Sequence, residues 1–317
     1  MMNPYIYEIE PTNHCPYKCI MCPRGLGRMR RSVGFMETDT FDALIRQFPA
    51  DQKLVRLHHF GEAVLHPQID TMIRTVADAG LISVLSVNPA TLSSALIRKI
   101  IKSGLHIICF SLDALSDEGL RQIRGIKRPF EACWAMIEEF IRLSRDSGAF
   151  TLKIIQMVRL KHNEADLEAF WKIKQKYAES DVYLYLTENY GFGDVSLIEK
   201  TTPGGSAYIA SGRRPCGAPF SEVSILWNGD VVLCCYDYDG FNVIGNIREK
   251  SLSEIWQDTK VKEIRDLFET GQTRKLPLCA NCFLAPHHFS ERQSLSRKGW
   301  EEEAAISDML TKAMVKF

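Results

Sequence analysis

Three cysteines on one short loop constrain this chain more than any other feature. Cys15, Cys19 and Cys22 lie in the stretch Glu8-Ile9-Glu10-Pro11-Thr12-Asn13-His14-Cys15-Pro16-Tyr17-Lys18-Cys19-Ile20-Met21-Cys22-Pro23, just after a short apolar run that reads as a strand. Three thiolates at C-x3-C-x2-C spacing can hold three irons of a [4Fe-4S] cube. With no fourth cysteine nearby, the last iron stays open for another ligand. A zinc knuckle or a pair of buried cysteines is the plainer alternative, but zinc normally closes with four local ligands.

The other cysteines are grouped as well: the chain has ten, at 216, 234/235 and 279/282 besides the triad, with Cys109 and Cys133 standing apart. The start carries no basic segment followed by a long apolar one, and no run of about eighteen apolar residues occurs, so the chain reads as cytoplasmic, without a membrane partner. In that compartment thiols stay reduced, so grouped cysteines point to metal or redox chemistry rather than disulfides. Lys plus Arg and Asp plus Glu both number 39 in 317 residues, which gives no bulk electrostatic case for nucleic acid or an anionic membrane.

Up to about residue 190, short apolar runs alternate with amphipathic stretches, the pattern of βα units around a parallel sheet. Strands are predicted near 5–10, 54–60, 82–87, 106–112, 152–158 and 182–187. Helices are predicted over Thr38–Phe48, Ile69–Ala79, Ser93–Lys102, Phe130–Ser147 and Ala165–Tyr177. Six such units after a C-x3-C-x2-C loop resemble the core of the radical S-adenosylmethionine (radical SAM) superfamily. The resemblance implies a partial (β/α)6 TIM-like barrel over residues 1–190, and SAM whose amino and carboxylate groups chelate the open iron.

Ligands of parallel βα folds gather at the carboxyl ends of strands. The second strand ends His58-His59-Phe60-Gly61-Glu62, similar to the family's Gly-Gly-Glu motif with Phe60 in place of the first glycine. Carried over, Glu62 accepts the SAM amino group and Gly61 permits close backbone approach. The fourth strand ends Ser111-Leu112-Asp113, resembling the Ser-x-Asp end that contacts the ribose or carboxylate of SAM, though both residues also suit a helix cap. Asn88, after the third strand, is a comparable candidate, and Arg124 is suited to the SAM carboxylate or to an exposed helix end. Met21 occupies the position where relatives place an aromatic residue on adenine, and a thioether can make a comparable contact. Arg24, Arg28, Arg30 and Arg31 form a basic loop for an acidic electron carrier, an anionic substrate group, or simply solvent. Strand alternation would put His58 and His59 on opposite faces.

Residues 191–215 carry clustered Gly and Pro and read as a linker. In the last region, 216–317, Asn228-Gly229 between apolar runs marks a β-hairpin, and Ser251 to Phe268 reads as one amphipathic helix capped by Ser251 or Ser253. A helical periodicity recurs from Ser290 onward. Cys216, Cys234, Cys279 and Cys282 supply four thiolates to this small hairpin-plus-helix unit, enough to close a whole cube or a zinc site. The arrangement resembles a SPASM domain in its shorter Twitch form, because the next cysteine of the full pattern would fall at His288. The resemblance implies one auxiliary [4Fe-4S] cluster. Cys235 directly follows a presumed ligand, and strand register turns it away from the cluster, as a packed thiol or a hydrogen-atom donor in the cavity.

The resemblance therefore implies an oxidoreductase or epimerase that cleaves SAM to a 5'-deoxyadenosyl radical, with reduced flavodoxin or ferredoxin as electron donor. Only fourteen residues precede Cys15, which favours a small polar, sugar- or aminocyclitol-like substrate over a ribosomal peptide. The rival class is a non-catalytic iron-sulfur carrier or a zinc-stapled binding module.

Overall fold

The computed structural model describes residues 3–148, 150–177, 181–205 and 216–285. The helical stretch expected from Ser290, His288, and the 206–215 portion of the expected linker lie outside the described residues. Five parallel strands form one sheet in sequence order: β2 (Leu54–Arg56), β3 (Ile82–Val87), β4 (Ile107–Ser111), β5 (Leu152–Arg159) and β6 (Val182–Glu188). α1 (Thr38–Arg46) precedes β2, and between the strands run α2 (Ile69–Asp78), α3 (Ser94–Lys102), α4 (Asp117–Arg124), α5 (Phe130–Asp146) and α6 (Leu167–Lys176). The helices bury apolar faces such as Phe41 and Leu44, Ile97 and Ile100, or Ile137 and Phe140 against one face of the sheet.

β1 (Tyr5–Ile9) departs from the expected six-stranded sheet. It pairs in parallel with β7 (Glu222–Ile225), which forms the Gly229 hairpin with β8 (Asp230–Val232) and, through it, β9 (Val243–Asn246). Between β1 and β2 a buried side chain replaces the ladder. Gln52 accepts from the Ile6 amide at 2.8 Å and donates to the Ile6 and Leu54 carbonyls at 2.7 and 2.9 Å. An amide side chain can do this because it carries the same donor and acceptor as a peptide group. Hydrogen bonding thus runs across the expected division at residue 190.

Three local features differ from expectation for identifiable reasons. The helix end suggested at Arg124 belongs to α4, a helix absent from the expected set, which Ser116 caps by accepting from Gly119 N at 3.1 Å and Gly125 ends at φ 69°. The single helix expected over Ser251–Phe268 is two, Leu252–Trp256 with a Ser251–Glu254 capping box and Thr259–Glu269 capped by Asp258, whose side chain accepts from Lys260 N and starts a new helix. The 191–205 part of the expected linker is a Gly191–Gly193 turn followed by α7 (Val195–Thr201), capped by Asp194.

The face of the five-stranded sheet away from the helices changes character along the strands. Leu54, Val84, Ile107 and Leu152 form an apolar floor. Two residues further along, the same alternation brings up Arg56, Ser86, Cys109 and Ile154, then Ser111 and Gln156. Ser86 and Ser111 share a hydrogen bond at 3.1 Å, and the Cys109 thiol donates to Gln156 Oε1 at 3.0 Å. A polar layer therefore lies over an apolar floor at the end of the sheet where the signature residues gather.

Candidate cofactor and active site

The cysteine loop is held from beneath by backbone pairing. Lys18 N donates to Arg124 O at 3.0 Å and Ile20 N to Ile123 O at 2.9 Å, so the last turn of α4 carries the loop. Gly25 folds back so closely that a Cβ there would lie 2.4 Å from Cys19 O. Cys15 is pushed up to about 11 and Cys19 to about 12, first by burial. Thiols disfavoured as anions in this way gain from a cationic iron partner. Arg124 Nη1 lies 3.7 Å from Cys19 Sγ. Met21 is buried among core side chains.

Gly61 is required for a reason different from ligand approach. A Cβ there would sit 2.0 Å from Thr12 O, so only glycine lets the second strand end pass under the incoming loop, where Glu62 N donates to His14 O at 2.7 Å. Glu62 is 5% exposed, and its oxygens accept from Asn88 N at 3.3 and 3.2 Å. Burial pushes its carboxyl up to about 8, against the Asn88 amide and the charge of Arg124. A buried carboxylate in this position gains strongly from an ammonium partner. Asn88 is 2% exposed; its Oδ1 accepts from Ala90 N at 2.9 Å while its Nδ2 has no partner among the described residues.

Asp113 and Arg124 do not stand as separate ligand contacts. Asp113 is fully buried, accepts from Val158 N at 2.8 Å and pairs with Arg124 at 2.5 Å. Its carboxylate is thus engaged by protein groups, and it holds the guanidinium beside Cys19. Ser111 lies one step away, in the polar layer.

His58 and His59 approach one carboxylate instead of facing opposite ways, because β2 ends at Arg56 and the alternation ends with it. Each Nε2 lies 3.6 Å from a Glu8 oxygen. His59 also bridges to Glu10 Oε1 at 3.4 Å and to Cys235 O at 2.9 Å. Glu10 is fully buried, and Arg31 clasps it with two bonds of 2.6 and 2.5 Å. Burial alone would raise the Glu10 carboxyl, but hydrogen bonds from His59 and Arg31 bring it down to about 2. The basic loop is therefore partly committed: Arg31 also donates to Tyr238 O, and Arg28 pairs with Asp194.

The second cysteine set comes from separated segments. Cys216 N donates to Leu284 O at 2.8 Å, Cys234 Sγ accepts from Tyr236 N at 3.3 Å, and Cys282 N donates to Cys279 O at 3.1 Å. Burial raises the Cys216, Cys279 and Cys282 thiols, Cys234 is raised first by its hydrogen bond with Cys235 and then by burial, and the charges of neighbouring cysteines raise all four further. Gly193 forms the opposing surface: at φ 82°, a Cβ there would be 2.7 Å from Cys282 Sγ. Cys235 packs with Tyr5, Tyr7 and Tyr236 and is 8% exposed. A cavity of about 700 Å³ is lined among others by Pro23, Phe192, Asp194, Tyr238 and Cys282.

Sequence reasoning gave no site role to Glu10 or Cys109, took Arg31 only as part of a basic loop, and read Gly191–Asp194 as linker. Alternation along Ile107, Cys109 and Ser111 is a readable signal for Cys109. The partners of Glu10 are distant in sequence and carry no such signal.

A fold and loop of this kind define a class, and comparison with known families agrees. The radical SAM superfamily model matches residues 9–172, and the SPASM model, an iron-sulfur cluster-binding domain, matches residues 216–283. This chain belongs to the radical SAM superfamily. Membership brings a SAM-binding [4Fe-4S] cluster, and the second match brings auxiliary iron-sulfur binding.

Among curated relatives, the AdoMet-dependent heme synthase of Methanosarcina barkeri is 24% identical over 88% of this chain and 91% of its own. The S-adenosyl-L-methionine-dependent 2-deoxy-scyllo-inosamine dehydrogenase of Niallia circulans is 21% identical over 87% and 91%. Among solved structures, Streptococcus suis SuiB bound to precursor peptide SuiA shares the fold with a TM-score of 0.63 at 13% identity, over 91% of this chain and 76% of that one. No helix among the described residues is long and apolar enough to cross a membrane.

Proposed function

We propose that the chain abstracts a hydrogen atom from a small polar, sugar- or aminocyclitol-like molecule and completes a dehydrogenation. SAM bound at the reduced first cluster supplies a 5'-deoxyadenosyl radical, which attacks an unactivated C–H bond. Cys15, Cys19 and Cys22 hold that cluster. Glu62 takes the SAM ammonium, Gly61 carries the loop over it, and Asn88 offers its free Nδ2 to SAM. Asp113 holds Arg124, whose charge favours the anionic thiolate of Cys19. Cys216, Cys234, Cys279 and Cys282 hold the auxiliary cluster, a suitable acceptor for the second electron of an oxidation. Reduced flavodoxin or ferredoxin is the fitting reductant.

The observation that carries the substrate class is the polar layer of Ser86, Cys109, Ser111 and Gln156 over an apolar floor, beside the strand ends that bear Glu62 and Asn88. Hydroxyls, an amide and a thiol suit a hydroxylated ring better than an extended apolar chain. The named dehydrogenase of Niallia circulans is consistent with that class. Epimerisation is a second reading, favoured by the position of the Cys109 thiol in this layer. Cys235, enclosed by tyrosines, is less suited to the donor role.

The test is anaerobic reconstitution followed by SAM and dithionite with a panel of polyols, aminocyclitols and short peptides. Substrate-dependent formation of 5'-deoxyadenosine and a product two mass units lighter is expected with a ring polyol or aminocyclitol. Turnover of peptides alone would overturn the substrate class.

A further inference from the structure

Phe60 and the turn read as a linker meet in one place. Phe192 is the one non-glycine residue with a left-handed backbone among the described residues, at φ 50° and ψ 40°. Gly191 and Gly193 beside it have φ 51° and 82°. A phenylalanine pays for such a conformation and has no polar side-chain atom with which to offset it. The compensation is ring packing: Phe192 lies 4.9 Å from Phe60 and 5.8 Å, edge-on, from Tyr236. Phe60 in turn meets Tyr238 edge-on at 5.9 Å.

These rings join the wall of the cavity to the end of the second strand. Phe192 and Tyr238 line the cavity of about 700 Å³, whereas Phe60 does not, is 4% exposed, and leads directly into Gly61 and Glu62. We propose that Phe192 is a gate between this outer cavity and the SAM-binding strand ends, held shut by packing on Phe60 and Tyr236 at the expense of backbone strain. Strain and ring contact oppose one another, so the shut and open states lie close in free energy, as a gate requires. Relaxing φ to the ordinary negative region withdraws the ring and admits a small molecule. The shut gate keeps other hydrogen donors away from the radical. The anchors on either side are fixed independently, by Arg28 on Asp194 and by Gly193 on Cys282.

The inference rests on the radical SAM chemistry above, and its test separates the two. First, the apoproteins of Phe192→Gly and Phe192→Ala are melted. Both lose the ring, but only glycine relieves the strain, so Phe192→Gly is expected to melt higher by roughly 2–4 °C, the reverse of the order in ordinary backbone. An alanine variant equal or superior to glycine would overturn the proposal.

Second, the reconstituted enzymes are given SAM and dithionite with perdeuterated glycerol and no substrate. The deoxyadenosyl radical then takes a deuterium atom from a glycerol C–D bond, and pairs of the resulting glycerol radicals disproportionate to glycerol and its carbonyl form. Dithionite supplies the one electron for each SAM cleaved. Phe192→Ala and Phe192→Gly are expected to raise the deuterated deoxyadenosine about tenfold, and Phe192→Tyr to restore the wild-type level. No rise with both clusters intact by iron content would refute the gate. Failure of the wild type to form any deoxyadenosine would instead strike at the chemistry beneath it.

Discussion

At the first cysteine set, three thiols share eight residues of one loop, and that loop is pinned by backbone bonds to the end of α4. At the second, four thiols come from three separated segments, and one of them, Cys282, packs against the Gly191–Gly193 turn. One site is local and the other is assembled by tertiary packing. A local site tolerates damage elsewhere, whereas an assembled one fails wherever any of its supports fails.

The largest expected effect breaks this comparison directly. Cys19→Ala should remove the first cluster, abolish deoxyadenosine formation and leave the auxiliary iron in place, so that iron per chain falls by about half. Gly193→Val touches no cysteine, yet its side chain would meet Cys282 Sγ, where even a Cβ would lie at 2.7 Å, on a backbone at φ 82°. It should cost the auxiliary cluster and spare the first. Retention of both clusters, by iron analysis and electron paramagnetic resonance, would show that the turn is not a support.

Next in size is Glu62→Gln, expected to weaken SAM binding about a hundredfold in equilibrium dialysis. The pH dependence sharpens it. Because burial holds the Glu62 carboxyl near 8, it must lose a proton to receive an ammonium, so SAM affinity should fall as pH drops below about 8. In Glu62→Gln that slope should vanish.

Glu10 has the opposite sign. Its carboxyl lies below its ordinary value of 4.5, at about 2, so its contribution to stability is present above pH 4.5 and is lost as pH falls through about 2. Arg31→Ala should strip that carboxylate of its main partner and destabilise the fold by about 3–5 kcal/mol in denaturant titration at neutral pH. The smallest effect is chemical. If turnover ends in epimerisation, Cys109→Ala should lose solvent deuterium from the product in heavy water while Cys235→Ala retains it.

The same contrast governs how much the sequence disclosed. The triad, the βα alternation, the hairpin at Asn228-Gly229 and the four later cysteines were legible because each depends on spacing or period within a short window. The position of Glu62, buried against the Asn88 amide, follows from its place after a strand. Gly61 was legible as a close approach, but its true neighbour is Thr12 O, which no local pattern names. Asp113 was legible as an acceptor, but its partner Arg124 was assigned elsewhere, since a buried ion pair leaves no trace in spacing. The turn at Gly191–Asp194 was misread because glycines that open a linker and glycines that allow close packing look alike in a string of letters.

β1 carries a last consequence, for the order of events during synthesis. Its hydrogen-bond partner β7 begins only at Glu222, so the strand that leads into the cysteine loop emerges early and waits for most of the chain before it is paired. Contacts of such long sequence separation form late, after the loop-closure entropy has been met. The Gln52 side chain, which bonds to Ile6, is the one partner of β1 described above that precedes β7 in the chain. Iron delivered before β7 arrives would meet a loop anchored on one side alone, so productive cluster loading should follow translation of the hairpin.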